Sequence, residues 1–487
     1  MNSMHSSLSD ISIQQSSKGL LPKSLLCDIS SASAIGSNLF KSIDKLRIQN
    51  IDLAVYKKES DYPQDIVLKF SKEKLYSKWI PKFVGGGGAH PLTFYGLNLE
   101  MGSHCLGIAN LIGAHYVALG LVSATSSFEV LSRITADITE AENNHQHCTV
   151  ALGVTEPGAG SDMEEAELLE KAKVCTIAKK VQGGFQVSGQ KIFISNSLFA
   201  KWYIVSAFEN STDPAGSLVI FAVKADTLGI SLGRNETKLG QSATPASVIF
   251  FENVFIPESD VCFSRDQFKS SEDFKKNSEY LLNDLLSLSR AGVGCLATGV
   301  QRRILEIMVE SNNNKKTDSE WSRSQIAKVA ENFILSKTIS WEGHIECYSR
   351  GPYKDLQTSV GYTFFKYMPK FFLKNTLGVL LKSKSARDSL REKRRKSITM
   401  SDEKLIFGWG SLTKAFCSDK AMESTHLALE LIGSDGGEYF WELEKILRDV
   451  KLLQIYEGTN ELNRLMIYKS FIGSTDSQHA LFTEGEI

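Results

Sequence analysis

A carboxylate, Glu457, stands in LQIYEGTNELNR (Leu453 to Arg464) between an apolar strip and a Gly-Thr-Asn turn. Burial disfavours the charged form of a carboxyl and raises its pKa, which fits it to remove a proton from a neighbouring group. The plain alternative is a surface acid in a helix-ending turn. Two other stretches carry residues suited to a ligand. In VTEPGAGSD (154–162), Gly158 and Gly160 allow tight backbone, so amide N–H groups can approach an anionic or polar group, with Ser161 beside an acid. In GQKIFISNS (189–197), strict alternation sets Phe193 and Ser195 on one face of a strand and Ile192 and Ile194 on the other. A ring and a hydroxyl two residues apart suit a flat aromatic cofactor that needs stacking and one polar anchor. Taken singly, each stretch reads equally well as an ordinary turn or an ordinary strand. His145-x-His147-Cys148 has metal-ligand residue types but no second ligand pair, so it reads as a solvated loop, and no metal is expected.

The elements that must hold these residues follow from periodicity. Residues 20–150 carry helical patterns, and the apolar, small-residue-rich stretch from Ser103 to Ser127 reads as a buried helix or helix pair rather than a membrane span. Pro81 and the glycines at 85–88 mark a loop. From Val174 the runs GFQVSGQKIFISN, WYIVSAF, SLVIFAVKA and SVIFFENVFIP alternate with period two, punctuated by Gly, Asn and Asp, and end at Pro257. Helical spacing resumes near Asn277 and runs to the end. The expected class is α+β, in three parts. These are an N-terminal helical domain over 1–150 with a flexible tail at 1–20, a central antiparallel β domain over 151–260, and a C-terminal helical domain over 261–487.

With 55 Lys and Arg against 56 Asp and Glu, the net charge is -1, and a nucleic-acid partner is not expected. Eight scattered cysteines without a CxxC pair point to a reducing compartment. The Ser-rich N-terminus lacks Arg and carries an acid, which reads as a tail rather than a transit peptide. A cytoplasmic location is expected, with a mitochondrial one as the alternative. One block, about 350–402, stands apart. Residues 360–400 hold eleven Lys and Arg against two acids, with aromatics and Leu in the first half. Such a basic amphipathic segment lies on an anionic membrane surface, packs its apolar face on its own protein, or meets a protein or nucleic-acid partner.

Taken together, VTEPGAGSD, GQKIFISN, KLGQSATPASVIFFENVFIP, the SRAGVG helix start and IYEGTNELNR resemble the acyl-CoA dehydrogenase family in order and approximate spacing, from about residue 75 to 470 outside the basic block. The resemblance implies a flavoenzyme whose C-terminal domain is a four-helix bundle and whose cofactor is FAD. It implies flavin contacts from Val154, Thr155, Ser161, Phe193, Ser195 and Thr459, and substrate contacts from Ser161, Arg290 and Gly458. Glu457 takes the place of the catalytic base, which removes the α-proton of an acyl thioester while the β-hydride goes to the flavin N5. The substrate class is acyl-CoA or an acyl-carrier thioester, the electron partner an electron-transfer flavoprotein, and the assembly a homodimer or homotetramer.

Departures from the family pattern collect at the ADP end of the cofactor. NNNKKTD (312–318) replaces an Arg-containing motif, leaving Lys315 or Lys316 as point charges. Glu430 and Ser434 occupy the Gln and second Gly of another loop, and an Arg usual near Gln241 is absent. Weaker FAD retention is expected. Three alternatives stay open: a binding protein of low turnover acting through the basic block, an acyl-carrier-protein dehydrogenase, and an acyl-CoA oxidase that passes electrons to oxygen.

Overall fold

The computed structural model describes residues 21–41, 61–62, 64–164, 166–315, 319–351 and 359–473. The tail at 1–20 and Lys316 lie outside the described residues.

Among the described residues, five α-helices precede the sheet: α1 (Lys23–Phe40), α2 (Gln64–Lys72), α3 (Phe94–His104), α4 (Leu106–Ala124) and α5 (Phe128–Asn143). Among the described residues α4 is the helix long and apolar enough to cross a membrane, yet most of it is buried inside the protein, as a core helix must be when apolar on all sides. His115 sits fully buried in its middle. One ring nitrogen accepts from the Val150 N–H at 3.0 Å and the other meets the Tyr76 carbonyl at 2.8 Å, tying α4 to the first strand. Burial pushes its pKa down to about 4, so the ring is neutral and its tautomer is set by those two partners.

The sheet has eight strands: β1 (Thr149–Gly153), β2 (Ile177–Val181), β3 (Gly184–Ser195), β4 (Ala200–Phe208), β5 (Leu218–Lys224), β6 (Ile230–Asn235), β7 (Ala246–Pro257) and β8 (Val261–Phe263). Their order is β6-β7-β3-β2-β4-β5-β8, with β1 paired to β4. The sequence predicts an antiparallel sheet, and the sheet is instead mixed. β1 runs parallel to β4, and β2 touches β4 in parallel at Ile177 and Phe208. The β2–β3 hairpin intervenes in the chain between β1 and β4, so β4 returns beside β1 in the same direction. Strand structure also continues past Pro257 into β8, which pairs with β5.

The C-terminal helices are α6 (Ser271–Lys315), α7 (Glu320–Arg350), α12 (Met400–Ile432), α13 (Glu438–Leu453) and α14 (Asn460–Phe471). α12 packs against α6, α7, α13 and α14, and α3 lies along α6. At that last crossing, a Cβ on Gly102 would meet the Leu296 carbonyl oxygen at 2.6 Å and one on Gly299 would meet the Leu99 oxygen at 2.2 Å. Only glycine allows this approach.

Between α7 and α12 the described residues of the basic block form four short helices: α8 (Ser359–Tyr367), α9 (Lys370–Asn375), α10 (Leu377–Leu380) and α11 (Lys384–Ser397). It is seated on its own protein at both ends. Lys82 Nζ donates to the carbonyls of Phe365, Lys366 and Met368 at 3.1, 2.6 and 3.3 Å, closing the end of α8. Lys366 pairs with Asp28 at 2.9 Å. On α11, Arg391 donates to the Thr125 carbonyl, at 2.6 Å from NH2, and Arg394 reaches Asp284 at 3.4 Å.

Candidate active site

Glu457 lies in the tight turn between α13 and α14 with φ +57°, a left-handed conformation that costs a non-glycine residue about 1–3 kcal/mol. The surroundings that hold it there grip the turn's carbonyls. Arg290 Nε donates to the Glu457 oxygen at 3.1 Å, and Lys414 Nζ to the Gly458 oxygen at 2.6 Å. Asn463 Nδ2 reaches the oxygens of Glu457, Gly458 and Thr459 at 3.2, 3.0 and 2.9 Å. With the carbonyls engaged, the Glu457 N–H has no partner among the described residues. It is a free donor next to the carboxylate.

Glu457 is half-buried and lines a cavity. Its pKa is raised, with burial the dominant cause; Ser289, Arg290 and Lys414 oppose the rise. Ser289 Oγ lies 2.6 Å from Glu457 Oε2 and 3.2 Å from the Leu286 carbonyl. When Glu457 is charged, the hydroxyl donates to it. When Glu457 is protonated, the acid donates to the hydroxyl, which turns to Leu286. Ser289 thus serves both protonation states of the acid.

The cavity, about 1820 Å³, is walled by Val154, Thr155, Ser161, Phe193 and Ser195 as well as by Ser289 and Glu457. β3 does not alternate strictly, as expected from sequence. Its register with β7 slips between Lys191 and Ile194, the Ile192 N–H turns to the Thr155 carbonyl at 2.9 Å, and Phe193 takes φ +56°. This bulge turns the Phe193 ring out of the sheet, 60 % exposed and facing the cavity. Beneath the same loop is a wholly buried ion pair missed from sequence, Lys191 to Glu156 at 2.6 Å. Lys191 also donates to the Val154 carbonyl at 3.0 Å, so the pair fixes the 154–162 turn to β3. Burial pushes the Glu156 carboxyl up, but Lys191 overrides it and the net pKa lies below the usual range.

Three expected site residues sit elsewhere. Arg290 is fully buried, its guanidinium 4.8 Å from the Phe407 ring and bonded to Ser411 at 3.1 Å, so it braces the Glu457 turn from beneath and is not among the residues that line the cavity. Thr459 caps α14, its hydroxyl accepting from the Leu462 N–H at 3.3 Å. Gly458, with φ +76°, presents its carbonyl to Lys414. Neither lines the cavity. Glu430 and Ser434 are exposed and also lie off the cavity wall, while Gln241 is buried against Asp449 and does line it.

Two wall residues drew no attention in the sequence. Asp284, one and a half turns before Ser289 on α6, has its pKa pushed up to about 6 by burial, against the pull of Arg394. Asn98 on α3 is 2 % exposed and its Oδ1 has no partner among the described residues. Neither residue stands in a motif, so only the assembled wall reveals them. His147 is buried with one ring nitrogen 2.9 Å from the Tyr76 hydroxyl, whereas His145 is exposed. Among the described residues no group of three metal-ligating side chains converges.

The residues fit a flavin. A bare aromatic ring held out on a bulge, beside a hydroxyl and the 154–162 turn, supplies the stacking and polar contacts that a flat ring system takes.

Comparisons with known proteins agree with this architecture. Residues 151–254 match the acyl-CoA dehydrogenase middle domain and residues 397–472 its C-terminal domain. The chain is 25% identical over 406 residues to cyclohex-1-ene-1-carbonyl-CoA dehydrogenase of Syntrophus aciditrophicus, covering 83% of this chain and 81% of that protein. In fold it resembles butyryl-CoA dehydrogenase from Megasphaera elsdenii (TM-score 0.62, 18% identity, 92% of this chain and 97% of that one). It also resembles PigA solved with FAD and proline (TM-score 0.63, 18% identity, 92% and 97%).

Proposed function

The chain belongs to the acyl-CoA dehydrogenase family, and we propose that it removes the α-proton and β-hydride of an acyl thioester, with Glu457 as the base and FAD as the cofactor. FAD, when bound, supplies the acceptor for the hydride that leaves the β-carbon. Val154, Thr155, Ser161, Phe193 and Ser195 are the residues that would hold its ring system. The single observation that carries the reading is the Glu457 turn: a buried, raised-pKa carboxyl on the cavity wall, with an unpartnered N–H at the same residue.

That pairing answers the two demands of the chemistry. An α-hydrogen of a thioester is weakly acidic, so a base with raised affinity for protons is needed, and burial supplies it. Negative charge grows on the thioester oxygen as the proton leaves, and the Glu457 N–H is a fixed donor able to meet it. The proton passes to the Glu457 carboxyl, and Ser289 reorients toward Leu286 to accept the new O–H. Arg290, Lys414 and Asn463 keep the turn from relaxing out of its strained conformation, which makes them positioning residues.

The acyl carrier in this reading is coenzyme A or a carrier protein, the electron partner a separate electron-transfer flavoprotein, and the working assembly a homodimer or homotetramer. Anaerobic titration of the purified flavoprotein with saturated acyl-CoAs of increasing length tests it. The flavin absorption band should bleach with at least one member of the series and yield the trans-2-enoyl thioester. A flavin-loaded protein that no acyl thioester bleaches would overturn the reading. Peroxide formed in stoichiometric amount under air would assign oxygen, rather than a flavoprotein, as the acceptor.

A further inference from the structure

The basic block presents two sides. One side is anchored: Tyr362, Leu373, Gly378 and Leu381 are buried, Lys82 closes α8, and a Cβ on Gly378 would meet the Phe83 carbonyl oxygen at 2.2 Å. The other side is bare and apolar. Val360, Phe364 and Tyr367 fall at i, i+4 and i+7 on α8, which places them on one helix face, and all three are exposed. Phe371 and Phe372 on α9, then Val379 and Leu380 on α10, continue this exposure, with Val360 at 81% and Phe371 at 80%. So many large apolar side chains exposed within 21 residues are unusual for a surface that meets only water.

The charges interleaved with them share one sign. From Leu356 to Arg387 the sequence holds six Lys and Arg and no acid. Lys370, Lys374, Lys382 and Lys384 are exposed, and none of them pairs with a carboxylate among the described residues. Lys370 has its pKa lowered, by burial first and then by its positive neighbours Lys74 and Lys374, with Glu142 opposing, and Lys370, Lys374 and Lys382 border a groove that also holds Glu129 and Glu140 of α5. A second copy of this chain is a poor occupant, because a symmetric contact would set the lysines of α8–α10 in one copy against those of the other, and these helices carry no acid. Anionic headgroups neutralise the lysines, and the hydrocarbon edge accepts the aromatic and aliphatic side chains.

We propose that α8–α10 form a docking surface for an anionic lipid membrane, entered by Tyr367, Phe371, Phe372, Val379 and Leu380 with Lys370, Lys374, Lys382 and Lys384 on the headgroups. Phe365, Lys366 and Lys370 also line the central cavity, so the docked face borders its rim. Docking does not depend on the catalytic reading, since no residue of the Glu457 turn takes part.

Co-sedimentation of the full chain with vesicles tests this, using phosphatidylcholine alone against phosphatidylcholine with phosphatidylglycerol. Wild-type protein should partition onto the anionic vesicles and weakly onto the neutral ones, and added salt should release it. Each lysine near an anionic surface contributes roughly a fivefold factor, so Lys374→Gln with Lys382→Gln should weaken partition about 25-fold. Phe371→Ser with Leu380→Ser should weaken it even at low salt. All four side chains are exposed, so melting temperature and flavin content should stay at wild-type values and report that the fold is intact. Absence of wild-type partition, equal partition onto both vesicle types, or full retention in the variants would each overturn the proposal. So would an assembly that dissociates on Phe371→Ser without any vesicle binding, which would assign the face to a second copy.

Discussion

Replacing Ser289 by Ala isolates the contact that tunes the base. In wild-type protein the hydroxyl lies 2.6 Å from Glu457 Oε2 and serves both forms of the acid. A hydrogen bond to a charged group contributes about 1.5–3 kcal/mol and one between neutral groups about 0.5–1.5 kcal/mol. Ala removes both, so the charged form loses about 1–1.5 kcal/mol more than the neutral form. At about 1.36 kcal/mol per pH unit this raises the Glu457 pKa by about one unit. Its value is already raised by burial, so the change adds to the existing direction. Stopped-flow flavin reduction by an acyl-CoA, followed across pH without oxygen, measures it. The acid limb of the rate profile should move about one unit toward higher pH, and the rate below that limb should fall about tenfold. The plateau above it should change much less, because the base itself remains. An acid limb that stays put or moves down, in a variant with full flavin content, would refute the assignment of Ser289 as the partner that sets the base.

Other expectations follow from the same contacts. Arg290→Lys should keep flavin content and lower kcat by about tenfold or more, because Lys cannot reproduce the fork that holds the Glu457 carbonyl and Ser411 together; a change in KM alone would contradict this. Phe193→Ala should leave the melting temperature of flavin-free protein nearly unchanged, since the ring is exposed, and should release flavin on gel filtration. Lys191→Met should destabilise the protein by about 3–5 kcal/mol by leaving Glu156 buried without its cation, whereas the double variant with Glu156→Gln should recover much of the loss in chemical denaturation. Glu156 has a depressed pKa in the folded state, so its contribution is present above the unfolded value and is lost as pH falls through the folded one; acid melting of wild type should show that loss and the double variant should not.

The fold was legible where one period dominated. β4, β5 and β7 are long, bordered by polar turns and close to the runs read from sequence, and α4 is apolar enough to announce itself as core. β1, β2, β6 and β8 are short, at three to six residues, and carry too few alternations to stand out. At Phe193 the alternation of GQKIFISN pointed the right residue toward the cavity for an incomplete reason. The ring reaches the wall through a bulge whose existence depends on Thr155 taking the Ile192 N–H, a contact between segments that no local pattern records. The same limit explains Arg290. The resemblance implies a substrate contact for it, and its hold on the Glu457 turn depends on where α14 and α12 pack, which no local pattern records. Asp284 and Asn98 belong to no motif, and only the assembled cavity shows that they face it.

Asp284 also supplies the sharpest control for the central claim. Three carboxyls on the cavity wall have raised pKa values, Glu457, Asp284 and Glu142, and Glu142 is already engaged by the Tyr76 and Ser77 N–H groups and the Ser77 hydroxyl, which leaves Glu457 and Asp284 as the two to compare as proton acceptors. Anaerobic flavin reduction by a thioester deuterated at the α-carbon should be compared in Glu457→Gln and Asp284→Asn, each at full flavin occupancy. The account predicts a loss of at least about 10²-fold and no residual isotope effect in Glu457→Gln, with near wild-type rate and a primary isotope effect in Asp284→Asn. Retained reduction in Glu457→Gln together with its loss in Asp284→Asn would contradict the account.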